Sequence, residues 1–190
     1  AKYMSEAYLT ENKVPTKRVQ IPHTEIRLPA PAMDKWIPAS KLVIVDRTPY
    51  YREWTDSSVS GTSKKKEGFT FESNESIGLH TSISIAAFVS EEQAALFLYY
   101  FGVINEKPKE EDPYPSTARG RSLQEVMDTY VRGLVMAELS KEMGKRGVAT
   151  IIKEKSEILE ALSAKITKDL AGVGITLKYL GFANQLSFES

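Results

Sequence analysis

Residues 79–93 read LHTSISIAAFVSEEQ, and this stretch decides the fold. Apolar residues at alternate positions of 79–89 show the period of two that is typical of a half-buried β-strand. The next four residues match a capping box, in which the Ser90 hydroxyl and the Gln93 amide bond free backbone groups at the start of a helix. The stretch therefore predicts a strand followed at once by a helix that runs to about Phe101.

Upstream of this stretch lie a proline-rich region, a short β-branched run and a polar loop. Residues 1–40 contain five prolines, which forbid long helices and confine any strand to an edge or a short piece. Residues 41–47, KLVIVDR, are short and β-branched and precede Pro49, a pattern that predicts a strand buried on both faces. The Ser, Gly and Lys residues of 56–68 predict a loop between two strand regions.

Downstream, the pattern becomes mainly helical. The glycines and prolines of 102–120 predict an exposed loop. A second capping box at Ser122 opens a helix that should end near Gly144, and a further helix should run from 148 to the glycines at 172 and 174. Residues 175–188 predict a strand and a frayed end.

This order of elements predicts an α+β fold, in which helices pack on a mixed or antiparallel sheet. We expect three regions. Residues 1–35 form a proline-broken arm, residues 36–118 a strand-rich half, and residues 119–190 a helical half that ends in a strand.

The composition excludes several classes of protein. With 42% hydrophobic and 26% charged residues, the 190-residue chain is neither disordered nor collagen-like. Twenty-five basic residues balance 25 acidic ones, so no overall field attracts nucleic acid, and we expect no nucleic-acid partner. The chain has no cysteine, which excludes disulfides and thiol chemistry. The longest apolar run, 94–104, is about half of the roughly 20 residues that span a bilayer.

The residues offer no recognisable reaction centre. The two histidines, His23 and His80, lie far apart in sequence, and neither the zinc-protease nor the serine-hydrolase signature occurs. Gly144 and Lys145 lack the rest of a phosphate loop, and Gly172 with Gly174 is better explained as a helix stop. The pair Glu138 and Glu142 predicts a solvated helix face. The sequence therefore predicts no catalytic residue, no metal site and no cofactor.

One basic cluster has two interpretations. Lys64, Lys65 and Lys66 stand together in the predicted loop. The favoured interpretation is a solvated hairpin tip. The alternative is contact with anionic lipid, to which each lysine near the surface contributes about 1 kcal/mol.

The order of elements resembles the SPFH (band 7) family of stomatins, prohibitins and flotillins, with a bacterial or phage member as the expected branch. The resemblance rests on the strand 79–89, the helices 91–100, 123–139 and 155–170, and a strand that opens on GITL at 174–177. Residues 36–38 and 41–54 fit the first strands of such a domain, so the resemblance covers about residues 36–190. The arm 1–35 stands where the family has a membrane segment and a glycine-rich stretch.

The resemblance implies a non-enzymatic, membrane-associated scaffold. It implies an anchor ahead of residue 1, a coiled coil after Ser190, and homo-oligomers that form rings or cages. Such assemblies organise membrane microdomains or partner membrane proteins such as a protease or a channel. Strand edges, helix faces and the loop 102–120 are the expected contacts between neighbouring subunits. Two alternatives stay open: a soluble assembly or binding module with an SPFH-like fold, and an enzyme whose site is not recognisable in the sequence.

Overall fold

The computed structural model describes residues 11, 25–28, 35–38, 41–57, 62, 65–105, 107, 117–184 and 186–188. The chain forms two compact units, Ala1–Leu42 with Lys107–Thr117, and Val43–Glu106 with Ala118–Ser190. In the first unit, strands β1 (Glu25–Leu28) and β2 (Lys35–Pro38) pair antiparallel. Strands of four residues are what the closely spaced prolines allow.

The central sheet of the second unit has three antiparallel strands. They are β4 (Tyr50–Trp54), β7 (Ile83–Phe88) and β10 (Thr176–Phe182), in the order β10-β7-β4. Since side chains alternate between faces, Trp54 and Ile85 point into the core while their neighbours point outward. A β-bulge at Lys178 shifts the register of β10 and restores this alternation beyond it.

Two further sheets have three short strands each, and these strands alternate in sequence with those of the central sheet. Strands β5 (Phe69–Glu72), β6 (Gly78–Thr81) and β11 (Ser187–Phe188) pair antiparallel in the order β11-β6-β5. The third sheet has the order β3-β9-β8, where β3 is Leu42–Ile44, β8 is Val103–Asn105 and β9 is Thr117–Gly120.

Four helical elements complete the described part of the second unit: α1 (Ala94–Phe101), α2 at residues 123–143, α3 (Val148–Lys153) and α4 (Lys155–Ala171). The buried apolar side chains of α2 and α4 recur at helical spacing and join one core with those of the sheets. The buried positions are Leu123, Val126, Met127, Val131, Val135, Leu139, Met143, Ile158, Leu162, Ile166 and Leu170.

Helix α2 contains a π-helical turn. Its segments are α-helical Leu123–Val126, π-helical Met127–Val131 and α-helical Arg132–Met143. The amide of Arg132 bonds the carbonyl of Met127, five residues back, while the hydroxyl of Thr129 bonds the Glu125 carbonyl at 2.6 Å. The extra residue of the turn changes which side chains share a face of the helix.

The α+β fold class and the main helices are confirmed. Helix α1 ends at Phe101, as the sequence predicts, and α2 covers the predicted span. The β-pairings are mostly antiparallel. The resemblance to SPFH domains and the division into an arm and two halves stay predictions.

Four details of the sequence prediction are wrong. The strand 79–89 is two strands, because the hydroxyl of Ser82 bonds Thr55 at 2.9 Å and its carbonyl accepts from Ala183, which turns the chain from one sheet to the next. The strand near 41–47 shrinks to β3 and is half-exposed, because β3 is an edge strand.

The other two incorrect details concern the second half of the chain. The predicted loop 102–120 contains β8 and β9, while residues 106 and 108–116 lie outside the described part. The single helix expected after Gly147 is two, since the chain turns at Glu154 between α3 and α4.

Candidate functional site

Helix α1 and strand β8 form one uncharged surface segment. Residues 93–105, QAALFLYYFGVIN, contain no acidic or basic side chain. The hydroxyl of Ser90 accepts from the backbone amide of Gln93 at 3.3 Å, which confirms the Ser90 half of the capping box. The Gln93 side chain instead accepts from the Thr176 hydroxyl at 2.6 Å, and α1 begins at Ala94. Gly102 ends the helix with φ 79°, a left-handed conformation that favours glycine, and its amide bonds the Leu98 carbonyl at 2.9 Å. The chain can therefore pass directly from α1 into β8.

One side of α1 is anchored in the core. Phe97 is fully buried, and its ring lies 5.0 Å from the ring of Phe101. The backbone of Gly174, in the turn between α4 and β10, comes so close that a Cβ there would lie 2.5 Å from the Phe97 amide nitrogen. This close approach holds α1 against the start of β10.

The other side of α1 is exposed and apolar. Tyr99 is 81% exposed and Tyr100 is 54% exposed, and their rings meet edge to face with centroids 5.2 Å apart. Tyr130 of the π-turn is half-exposed and its ring lies 5.5 Å from Phe101. We define the aromatic surface as the exposed apolar residues of α1 and β8 together with Tyr130. Its members are Leu96, Tyr99, Tyr100, Val103, Ile104 and Tyr130.

A groove crosses the aromatic surface between α1 and α2. Tyr100 and Tyr130 stand on its two sides, and the other lining residues are Phe101, Arg121, Val126, Thr129 and Val173. Its volume is about 380 Å³. The lining is mostly apolar, with a few hydroxyl groups and one basic residue, Arg121, at its side. Such a groove suits the insertion of an apolar side chain from another protein together with a polar or acidic group near Arg121.

A polar network beneath the π-turn positions this region. Arg52 on β4 donates to both oxygens of Glu67, at 3.1 and 2.8 Å, and to Asp128 in the π-turn at 2.8 Å. The Tyr50 hydroxyl donates to the other oxygen of Asp128 at 2.5 Å. Arg132 donates to the Glu67 carbonyl at 3.1 Å. Two arginines thus offset two acids, and the network ties β4 to α2.

The network shifts the pKa of two of its members. Burial and the hydrogen bond to Asp128 raise the pKa of Tyr50 far above its usual range. Burial alone would lower the pKa of Arg52, but bonds to Glu67 and the attraction of Asp128 outweigh it, so the pKa of Arg52 is raised. Tyr50 stays neutral and Arg52 stays charged at neutral pH, which suits a structural tie better than proton transfer.

The carboxylates singled out in the sequence lie in helix ion pairs. Glu142 bonds Lys145 at 2.6 Å and Arg146 at 3.0 Å, which lowers the pKa of Glu142. Glu138 is 3.8 Å from Lys141. Both carboxylates are largely covered, so the predicted solvated face is wrong in detail; the cations and the neighbouring helix α4 shield it. Among the described residues, no three His, Cys, Asp or Glu side chains are grouped to hold a metal ion.

The structure describes only part of the lysine cluster. Lys65 and Lys66 are exposed on the segment that precedes β5, whereas Lys64 lies outside the described residues. His80 has its Nε2 atom 3.0 Å from Asp56, and His23 also lies outside the described residues.

Sequence analysis missed the aromatic surface. The signal was present, because thirteen uncharged residues that include two adjacent tyrosines are unusual for a short helix with one face in water. The π-turn left no comparable signal. None of the helices in the described part of the chain is both long and apolar enough to cross a membrane.

Neither comparison with models of known protein families nor comparison with curated proteins finds a match to this chain. The contacts and surfaces of the described residues are therefore the basis for a functional assignment.

Proposed function

We propose that this chain is the assembly domain of a non-enzymatic, membrane-associated scaffold that oligomerises into rings or cages. The single observation that carries the proposal is the aromatic surface on α1 and β8. The order of strands and helices, which resembles that of SPFH domains, supports the membrane association.

The size of the aromatic surface favours a protein contact. Val103 and Ile104 are adjacent on β8 and point to opposite faces of that strand, so at most five of the six members share one side. Counting about 200 Å² for a fully exposed residue of this size, those five expose roughly 500 Å². That lies in the upper half of the roughly 300–600 Å² found for the largest apolar patch of a monomeric protein. It is also more than half of the roughly 800 Å² that each partner contributes to a standard interface. Tyrosines are enriched in such contacts, because each buries a large apolar area and keeps a polar hydroxyl.

The polar groups of the second unit support a role other than catalysis. Tyr50, Arg52, Glu67 and Asp128 are bonded to one another. Tyr50 and Arg52 also line a cavity of about 330 Å³, but their hydrogen-bonding groups are engaged within the network. Broad hydrolase and nucleotide-turnover screens on the purified protein should detect no saturable activity. Activity that a point substitution abolishes would establish the enzyme alternative.

The decisive experiment measures native mass. The gene is expressed with the sequence that flanks this chain, the membrane fraction is extracted in mild detergent, and the mass is determined by light scattering after size exclusion. We expect particles of many subunits. A small species in the soluble fraction would contradict the proposal and favour the soluble binding module.

Two variants test the surface itself. Replacing Tyr99 and Tyr100 by Ser should reduce the particle mass, because it removes the most exposed rings of the aromatic surface. The control is Ile152→Ser on α3, which removes an apolar side chain that is 60% exposed, a value between those of the two tyrosines, and should leave the mass unchanged. Particles of wild-type mass in the tyrosine variant would show that assembly uses another surface.

A further inference from the structure

The groove between α1 and α2 has a positive charge at its side that no described residue neutralises. Arg121 is exposed and lines the groove next to Tyr100 and Phe101. Its backbone amide bonds the Gly102 carbonyl at 3.3 Å, which fixes Arg121 beside the end of α1. Among the described residues, none of the ion pairs includes Arg121, and residues 93–105 supply no acid. An unneutralised cation beside apolar walls favours a ligand that joins a carboxylate to an apolar group.

The walls of the groove suit an aromatic side chain. The rings of Phe101 and Tyr130 meet edge to face with centroids 5.5 Å apart, and Tyr100 stands on the other side, 54% exposed. Aromatic rings prefer such edge-to-face or offset contacts with a further ring. The volume of about 380 Å³ is near the lower end of the roughly 300–1,000 Å³ of ligand pockets. The groove therefore fits one large side chain better than a whole cofactor.

The π-turn of α2 forms one side of this groove. Thr129 and Tyr130 belong to the turn and line the groove, whereas Asp128 of the same turn is bonded to Tyr50 and Arg52 of the polar network. Single π-helical turns are rare and are frequently found at functional sites. The turn is thus held from the core side while it presents a ring and a hydroxyl to the groove.

We propose that the groove binds a partner protein through a short segment in which an aromatic side chain lies next to an aspartate or glutamate. The aromatic ring enters between Tyr100 and Tyr130, and the carboxylate pairs with Arg121. This inference goes beyond the proposed function, which concerns contact between copies of the chain, because it gives the chemistry of a different protein that each copy can bind. Tyr99 does not line the groove and stays available for contact between copies.

Charge favours an acidic segment over an anionic membrane as the occupant. Contact with anionic lipid through charge uses clusters of about four to eight basic residues. The groove offers one, Arg121, and the nearest other arginine in sequence, Arg119 on β9, does not line it. A single guanidinium matches a single carboxylate, because the two planar groups can form two parallel hydrogen bonds.

The test titrates the 190-residue chain with a defined peptide by isothermal calorimetry. The probe is the acetylated and amidated peptide Ser-Gly-Asp-Phe-Asp-Gly-Ser, which should bind saturably. Replacing both Asp by Asn in one control peptide, and Phe by Ala in another, should each weaken binding by about fivefold or more. Raised salt should weaken binding of the acidic peptide and leave that of the Asn peptide unchanged.

Two variants of the chain, each with a matched control, locate the binding site. Arg121→Gln should weaken binding of the acidic peptide about fivefold, whereas Arg119→Gln, also an exposed arginine, should leave it unchanged. Tyr100→Ser should weaken binding at least about fivefold, because it removes one wall of the groove. Its control is Tyr179→Ser on β10, where the tyrosine is 51% exposed and does not line the groove. Circular dichroism establishes that each variant folds.

Each contrary result has a definite meaning. The absence of saturable binding below about 1 mM peptide would overturn the inference. Equal affinity for the acidic and the Asn peptides, or equal effects of Arg121→Gln and Arg119→Gln, would show that Arg121 does not recognise a carboxylate. If the chain binds no peptide but sediments with anionic vesicles in a way that Arg121→Gln abolishes, the groove is a lipid contact and the inference fails. The native mass of the flanked protein tests the proposed function separately, so either can fail alone.

Discussion

Gly174 leaves no room for a side chain where the chain contacts α1. Its φ is +83°, where an L side chain is strained, and a Cβ would meet the backbone of Phe97, which cannot rotate away. The amides of Gly174 and Ile175 also bond carbonyls at the end of α4. One glycine therefore stops α4 and allows α1 to pack, and through α1 it sets the position of the aromatic surface.

We expect Gly174→Ala to lower the free energy of unfolding by at least about 2 kcal/mol, because left-handed strain is joined by a backbone clash. The matched control is Gly133→Ala within α2, where a Cβ meets nothing within 4 Å and alanine is the better helix former. The control should raise stability by up to about 1 kcal/mol. Urea titrations of both variants measure the difference, and equal midpoints would contradict this account.

At the scale of elements, the π-turn joins α2 to the central sheet. In the turn, Asp128 faces Tyr50 and Arg52 of β4, while Tyr130 packs its ring on Phe101 of α1. A single irregular turn thus supplies a residue to both the polar network and the aromatic surface. The irregularity is stabilised by the bonds that Asp128 makes, together with the Thr129 hydroxyl on the Glu125 carbonyl.

We expect Tyr50→Phe to cost about 1–2 kcal/mol near pH 7, because it removes a buried hydrogen bond to a carboxylate. The folded state raises the pKa of Tyr50 above the unfolded value of about 10, so the contribution of its proton is complete below pH 10 and is lost as pH rises further. Stability of Tyr50→Phe should therefore fall less steeply above pH 10 than that of the wild type. Tyr99→Phe, which removes an exposed hydroxyl, should keep the wild-type slope. If the free energy of unfolding fell equally steeply above pH 10 for Tyr50→Phe and wild type, the hydrogen bond from Tyr50 to Asp128 would not contribute as described.

At the scale of the whole molecule, we expect exposed apolar surface to drive contact between subunits, and the lysine cluster to give at most weak contact with lipid. The net charge is zero, so copies of the chain do not repel one another through an overall field, and exposed tyrosines supply the driving force that we propose. The lysine cluster is the one dense basic feature, and three charges without an inserted apolar group give only marginal affinity for lipid.

We accordingly expect the 190-residue chain to sediment only weakly with vesicles rich in anionic lipid. Replacing Lys64, Lys65 and Lys66 by Ser should abolish that weak binding, which raised salt should also remove. Neutral vesicles are the control. If the triple replacement leaves sedimentation with anionic vesicles unaltered, the lysine cluster has no role in lipid contact.

Prediction from sequence succeeded where the pattern is local. The capping box at Ser122 places the start of α2, because a cap depends on residues only three positions apart. The one at Ser90 closes a turn ahead of α1, which begins later, at Ala94. Prediction failed at Ser82, where bonds to Thr55 and Asn184, both distant in sequence, divide one alternating pattern into two strands. It also failed at β3, since a β-branched run is equally compatible with a central strand and an edge strand.

The sequence by itself determined the fold class, the helices and the balance of charge, because periodicity, caps and composition are properties of neighbouring residues. It also determined that residues 93–105 carry no charge. Only the tertiary structure decided which apolar residues stay exposed, since Tyr51 and Tyr179 share a face only after β4 and β10 pair with β7. The same holds for Tyr50 and Asp128, which are far apart in sequence and become bonded because the core brings a strand against a π-turn.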